Sequence, residues 1–163
     1  MAEQNTYSDL AEFGKTLLNN RELDKGLGII SEYLKKLTGA VRCSIFVYDD
    51  EAHELWTIVS NGMEKIVVPV NQGIVGYIFM TNKEIIENDV TKNPHFLKDI
   101  DEESGYRTIN MLGCPLYNSK NEIMGVVQLI NKLDGFSDKD MQFIKVILRF
   151  ICTFIEMTSD KQK

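Results

Sequence analysis

The sequence predicts an α+β fold built on a central antiparallel sheet of about six strands. Three observations predict it. Apolar residues recur at three- and four-residue spacing up to Leu37 and at every second residue from Val41. Two apolar segments, Met111 to Leu116 and Ile123 to Ile130, flank Asn118-Ser119-Lys120-Asn121, a polar cluster that reads as a hairpin turn. A long apolar helix then runs to the C-terminus.

Residues 6 to 19 read as a first helix, with Leu10, Phe13 and Leu17 on one stripe. A second runs from about Glu22 to Leu37, with Leu27, Ile30, Leu34 and Leu37 on its apolar face and Gly39 as its C-cap. From Val41 the alternation puts Cys43, Ile45 and Val47 on one face of a strand and Arg42, Ser44 and Tyr48 on the other. Residues Asp49 to His53 form a turn, and Glu54 to Ser60 return as a second strand. Asn61-Gly62 marks a tight turn before a strand from Lys65 to Val70. The run beginning at Ile74 reads as a short helix whose N-terminal amides can meet an anion. Glu84 to Glu87 is a short strand, Asn93-Pro94 interrupts regular structure, and Asp99 to Glu103 is a short helix or a loop.

At the last helix, Ser137 and Asp140 fit a capping box, and Phe136 and Met141 stand at hydrophobic-staple positions. The helix carries two apolar seams. One is Met141, Ile144, Leu148, Ile151 and Ile155; the other is Phe143, Ile147, Phe150, Phe154 and Met157. One seam covers the sheet, and the other calls for a second surface, which the first helix or a second subunit can supply.

At 163 residues the chain reads as one domain, and its 44% apolar and 26% charged residues are an ordinary globular balance. A net charge of −6 with no basic cluster argues against nucleic acid. No apolar run approaches the roughly 18 residues that cross a membrane, and no signal peptide opens the chain, so a cytoplasmic location is expected. Cys43, Cys114 and Cys152 are odd in number and lack metal-type spacing, which makes them small buried hydrophobes. His53 and His95 lie far apart in polar surroundings, and no residue pattern suggests a metal or a catalytic triad.

Pro69, Asn71-Gln72-Gly73-Ile74, Gly76, Asp89, Asn93-Pro94, Phe96, Asp101, Gly105-Tyr106-Arg107-Thr108, Asn110-Met111-Leu112, Pro115-Leu116, Gly125, Asn131-Lys132, Phe136 and Asp140 occur in an order that resembles the GAF domains of cyclic-nucleotide phosphodiesterases and bacterial adenylyl cyclases. The resemblance covers roughly residues 20 to 157, within a single domain spanning 1–163. It implies that helices 1, 2 and the last lie on one face of the sheet, with short helices and loops over the other. It also implies that Lys132 pairs with Asp140, so that Asn131, Lys132, Phe136 and Asp140 form a structural motif.

For function, the resemblance implies a regulatory small-molecule sensor that is not itself an enzyme, requires no cofactor and relays through its terminal helices, as a homodimer, to an output domain. The leading ligand is a cyclic nucleotide, cAMP or cGMP. Ser44 stands where a first-strand side chain meets the base, and Ile74 and Val75 where backbone amides meet the phosphate. Asp101, Ser104 and Thr108 stand along the polar run that contacts base and phosphoribose, and Gln128 where some members carry Glu. Ser60 and Asn61 occupy the place of a family Phe-Asp pair, and Met141 that of a family Glu. The alternative for Asp101, Ser104 and Thr108 is that they cap a loop. Two rival functions remain. A ligand-free dimerisation module would fill the pocket with Phe79, Met80 or Phe96. An enzyme like free methionine-(R)-sulfoxide reductase would need cysteines around it.

Overall fold

Helical periodicity over residues 22–38 leaves one apolar stripe to bury, and the structure buries it on a sheet. The computed structural model describes residues 11–16, 22–59, 65–99 and 105–159. Helix α1 is described over 11–16, and α2 spans Leu23–Thr38. Gly39 ends α2 at φ 82°, its N–H donating to the Lys35 carbonyl at 2.8 Å, the left-handed cap that only a residue without Cβ adopts freely. Leu10 and Leu17, expected on the α1 stripe, lie outside the described residues, whereas Phe13 is buried and stacks on Tyr33 of α2 with ring centroids 4.3 Å apart.

The strands are β1 (Ala40–Asp49), β2 (Glu54–Val59), β3 (Val67–Pro69), β4 (Ile85–Glu87), β5 (Met111–Tyr117) and β6 (Ile123–Lys132). They form one six-stranded sheet in the order β3-β2-β1-β6-β5-β4, antiparallel at every step. Helix α3 (Gly73–Thr81) bridges β3 and β4, and α4 (Asp138–Ser159) follows β6. The strand expected from Lys65 pairs only from Val67. The Thr57 hydroxyl accepts the Ile66 N–H at 2.9 Å, so a side chain replaces the backbone acceptor there.

Two apolar layers sandwich the sheet. Residues of α1, α2 and α4 pack with Cys43, Ile45, Leu112, Cys114, Val127 and Leu129 on one face. Ile74, Val75 and Ile78 of α3 pack with Phe46, Leu55, Val68, Met111 and Val126 on the other. The helices therefore stand on the faces expected of them, and period-two alternation decides which strand residues meet which layer.

The start of α4 is fixed as its sequence suggests. Ser137 N–H donates to Asp140 Oδ2 at 2.9 Å, and Asp140 N–H donates back to Ser137 Oγ at 3.4 Å. Lys132 Nζ also reaches Asp140 Oδ2, at 2.6 Å, and ties the end of β6 to the helix. Along α4 the first seam is buried throughout, but the second divides. Ile147 is buried and Phe154 packs against the core, whereas Phe150 is 47% and Met157 59% exposed. The division has a local cause: at Gly26 of α2 the missing Cβ leaves the space that the Phe154 ring fills. Thus α2 accepts only one edge of the seam.

Candidate functional site

On the α3 face the two apolar layers differ in one respect: the floor of the sheet there carries polar side chains. Arg42, Ser44 and Phe46 alternate along β1, and Gln128 and Ile130 along β6. Ser44 lies directly across from Gln128 in the β1–β6 register. Together with Met111, Ile66 and Val68 they floor a cavity of about 80 Å³. Its roof and rim are Gly73, Ile74 and Val75 at the start of α3, Phe96 and Leu97 from the following loop, and Tyr106 and Thr108 from the approach to β5.

Each wall has a local reason. Gly73 takes φ 73°, and a Cβ there would stand 3.0 Å from Leu97, so glycine lets the loop close down on α3. Gln72, the N-cap of α3, makes no side-chain capping bond and the first turn carries no acid, which leaves the helix-end amides uncapped by side chains. The loop holding Phe96 begins at Asp89, whose carboxylate accepts from the Thr91 N–H at 3.1 Å and its hydroxyl at 2.5 Å. That hydroxyl contact holds the Asp89 carboxyl below its usual pKa. His95, at the crest of the loop, stacks on Tyr77 of α3 at 4.3 Å.

The rim is held by Asn131. Its Oδ1 accepts the Ile109 and Asn110 N–H groups at 2.7 and 3.3 Å, and its Nδ2 donates to the Tyr106 hydroxyl and the Arg107 carbonyl at 3.0 and 2.8 Å. Asn110 then exchanges two bonds with the Lys132 backbone. One asparagine thus sets Tyr106 against the cavity, where the Arg42 guanidinium lies 3.4 Å above its ring. The motif Asn131, Lys132, Phe136 and Asp140 acts structurally: Asn131 fixes the rim, while Lys132, Phe136 and Asp140 fix the start of α4. Asn88 joins them by exchanging two hydrogen bonds with the Phe136 backbone, at 2.8 and 3.1 Å.

Of the sequence-predicted site residues, Ser44, Ile74, Val75, Thr108 and Gln128 come together in this cavity. Ser60, Asn61, Asp101 and Ser104 lie outside the described residues. The Ser44 side chain is 8% exposed, and its hydroxyl has no partner among the described residues. The Gln128 carboxamide makes only a long contact, 3.9 Å from Nε2 to Met111 Sδ. Two polar groups are thereby left lining a small, mostly apolar cavity, an arrangement that favours an occupant able to hydrogen-bond. Arg42 and Tyr106, read from sequence only as a face residue and part of a motif, are cavity walls. The period-two alternation that placed Ser44 also places Arg42; the motif containing Tyr106 does not show that its ring walls the cavity, a position that depends on Asn131.

Of the three side chains that the ligand-free alternative would put in the pocket, only Phe96 lines it. Phe79 packs on Tyr48 at 4.5 Å, and Met80 is 62% exposed. Cys43 and Cys114 belong to the opposite layer, where burial pushes each thiol up to about 12. A thiolate, the reactive form, is therefore disfavoured at both, and neither thiol faces the cavity. Among the described residues no His, Cys, Asp and Glu cluster suited to a metal occurs, and no helix is long and apolar enough to cross a membrane.

A six-stranded antiparallel sheet with a helical layer on one face and a roofed polar cavity on the other defines a class of small sensory and regulatory domains. The GAF domain profile matches residues 22–155, and the chain belongs to the GAF domain family. Over 93 residues it is 38% identical to the cone cGMP-specific 3',5'-cyclic phosphodiesterase subunit alpha' of Gallus gallus, a match covering 56% of this chain and 11% of that protein. The chain thus spans about a tenth of the length of that curated relative. Among solved structures, the GAF domain of a phosphoenolpyruvate-protein phosphotransferase from Coxiella burnetii superposes with a TM-score of 0.85 at 18% identity, covering 98% of this chain and 97% of that one. Free methionine-R-sulfoxide reductase from Neisseria meningitidis superposes with a TM-score of 0.78 at 15% identity, covering 93% and 89%. At such identities these structures share the fold alone.

Proposed function

We propose that this domain is a regulatory sensor that binds a cyclic nucleotide, cAMP or cGMP, in the cavity beneath α3, acting in the cytoplasm with no further cofactor. The observation that carries the proposal is the pair Ser44 and Gln128, adjacent across β1 and β6 and left with unspent hydrogen-bonding capacity at the cavity floor. A hydroxyl and a carboxamide offer both donors and acceptors, which suits the mixed edge of a purine. The uncapped amides at the start of α3 and the Arg42 guanidinium suit an anionic group. The phosphodiesterase relative supports the nucleotide class.

A cavity of about 80 Å³ is small beside the roughly 300 Å³ at which ligand pockets begin. A nucleotide must therefore lift Phe96 and Leu97 off the floor. In this reading Phe96 and Leu97, within the segment from Asn88 to Arg107, are the moving part. The segment's two ends are bonded to the Phe136 backbone and to Asn131, so its displacement is transmitted toward α4 and any output domain beyond. The ligand-free dimerisation module draws support only from Phe96. The position of Cys43 and Cys114 on the other layer weighs against a sulfoxide reductase.

Calorimetric titration with cAMP and with cGMP tests the proposal. One of them binds the unmodified domain, and Ser44→Val weakens that binding by about threefold to tenfold, as loss of one hydrogen bond between neutral groups does. Heat from neither nucleotide contradicts the nucleotide reading. Turnover of free methionine sulfoxide with a thiol reductant, lost in Cys114→Ser, contradicts the non-enzymatic one.

A further inference from the structure

A second recess, of about 640 Å³, opens on the helical side of the sheet, and it shares no residue with the cavity beneath α3. It forms where β4 stops short. β4 pairs with β5 only from Met111 to Gly113, while β5 runs on to Tyr117 with no strand on that side among the described residues. Helix α4 stands across the opening. At one end Glu156 Oε1 accepts the Ser119 N–H at 2.8 Å and ties the helix to the β5–β6 turn. The floor is apolar, since Cys114, Leu148 and Cys152 are buried there.

Charge and unspent hydrogen-bonding capacity collect at the rim. Lys145 Nζ pairs with Glu84 Oε2 at 2.5 Å, so those two charges cancel. Arg149, on the next turn of α4, has no ion pair, and its guanidinium no hydrogen bond, among the described residues. The Asn82 and Asn121 carboxamides and the Tyr117 hydroxyl make no hydrogen bond among them either. The recess thus presents one unpaired positive charge in a chain of net charge −6. Its volume falls within the roughly 300–1,000 Å³ of small-molecule sites. We propose that it is a second ligand site, for a small organic carboxylate with an apolar body. The planar Arg149 guanidinium matches the two carboxylate oxygens with paired N–H groups, and the apolar body lies along Cys114, Leu148 and Cys152. A cation is repelled by Arg149, and a wholly apolar ligand covers the polar rim without pairing it. The inference stands apart from the nucleotide reading, since no residue in it touches the cavity.

Titration of the full chain with octanoate, followed by methyl-resolved nuclear magnetic resonance, tests it. Octanoate shifts the Leu148 methyls saturably and leaves Ile74 and Leu97, at the cavity, in place. Butyrate, with the same charge and a shorter body, binds about tenfold more weakly. Arg149→Gln weakens octanoate by about threefold to tenfold, as loss of an exposed charge-assisted pair does, and leaves the uncharged octanamide unaffected. Arg149→Lys recovers part of the loss. Glu84→Gln frees Lys145 and tightens octanoate by a similar factor. These three substitutions fall on side chains at the rim, and far-ultraviolet circular dichroism verifies that each variant is folded. Octanoate that leaves Leu148 unmoved, or that shifts the cavity methyls instead, overturns the proposal. So does octanoate that binds Arg149→Gln as tightly as the unmodified chain.

Discussion

Asn131 shows how much one side chain decides here. It stands at φ 61°, in the left-handed region, and accepts two hydrogen bonds from, and donates two to, the segment that forms the cavity rim. Asparagine combines tolerance of that backbone with donors and an acceptor on a short stem. Replacement by Gly keeps the backbone and removes the bonds, whereas replacement by Ala adds backbone strain. We expect Asn131→Gly to destabilise by about 2–3 kcal/mol and Asn131→Ala by about 1 kcal/mol more, in urea denaturation. Equal losses in the two would show that the left-handed conformation contributes nothing. The sequence disclosed that Asn131 belongs to a motif, but its partners lie 21 to 25 positions away, and no local pattern names them. Ser44 is easier to place, because strand alternation alone turns its side chain toward one face, whereas Gln128 enters only through the family resemblance.

Among the elements, α4 was legible in its buried half and not in its exposed half. A stripe of Met141, Ile144, Leu148, Ile151 and Ile155 leaves the sheet as its only cover. The second stripe was ambiguous, because Phe143 and Phe150 have neighbours at both three and four residues. What decides between Val146 and Ile147, and between Thr153 and Phe154, is a glycine on another helix, Gly26. Gly26→Ala places a methyl group in the Phe154 ring, so the ring must move or the helices must part. The expected cost is about 1–3 kcal/mol, the range for overpacking a core, visible as a lower thermal midpoint. A neutral result would show that α2 and α4 are not packed closely at this point.

For the whole molecule, the division into a buried helical layer and a polar cavity layer has a consequence for pH. Cys43 and Cys114 have an ordinary pKa of 9.0, raised by burial to about 12 in the folded domain. The folded state therefore keeps two protons that the unfolded chain releases above pH 9, and its stability falls as pH rises from about 9 toward 12. The fall reaches at most about 1.4 kcal/mol per pH unit for each thiol. In urea denaturation at pH 8 and pH 10, the double variant Cys43→Ala, Cys114→Ala loses this part of the slope. An unchanged slope would place both thiols in contact with water.

If the α3 face, with its polar floor beneath Phe96 and Leu97, receives the ligand, its residues respond to the ligand before those of the opposite layer. Methyl-resolved nuclear magnetic resonance reads both layers at once during a titration with cAMP or cGMP. Ile66, Val68, Ile74, Val75, Leu97 and Ile130 are expected to shift first and most, with Leu97 moving furthest as the loop lifts. Leu27, Ile30, Leu34 and Ile151, in the opposite layer, should shift far less. Shifts concentrated in that helical layer, or at Leu148 in the groove between α4 and the β5–β6 hairpin, would contradict it.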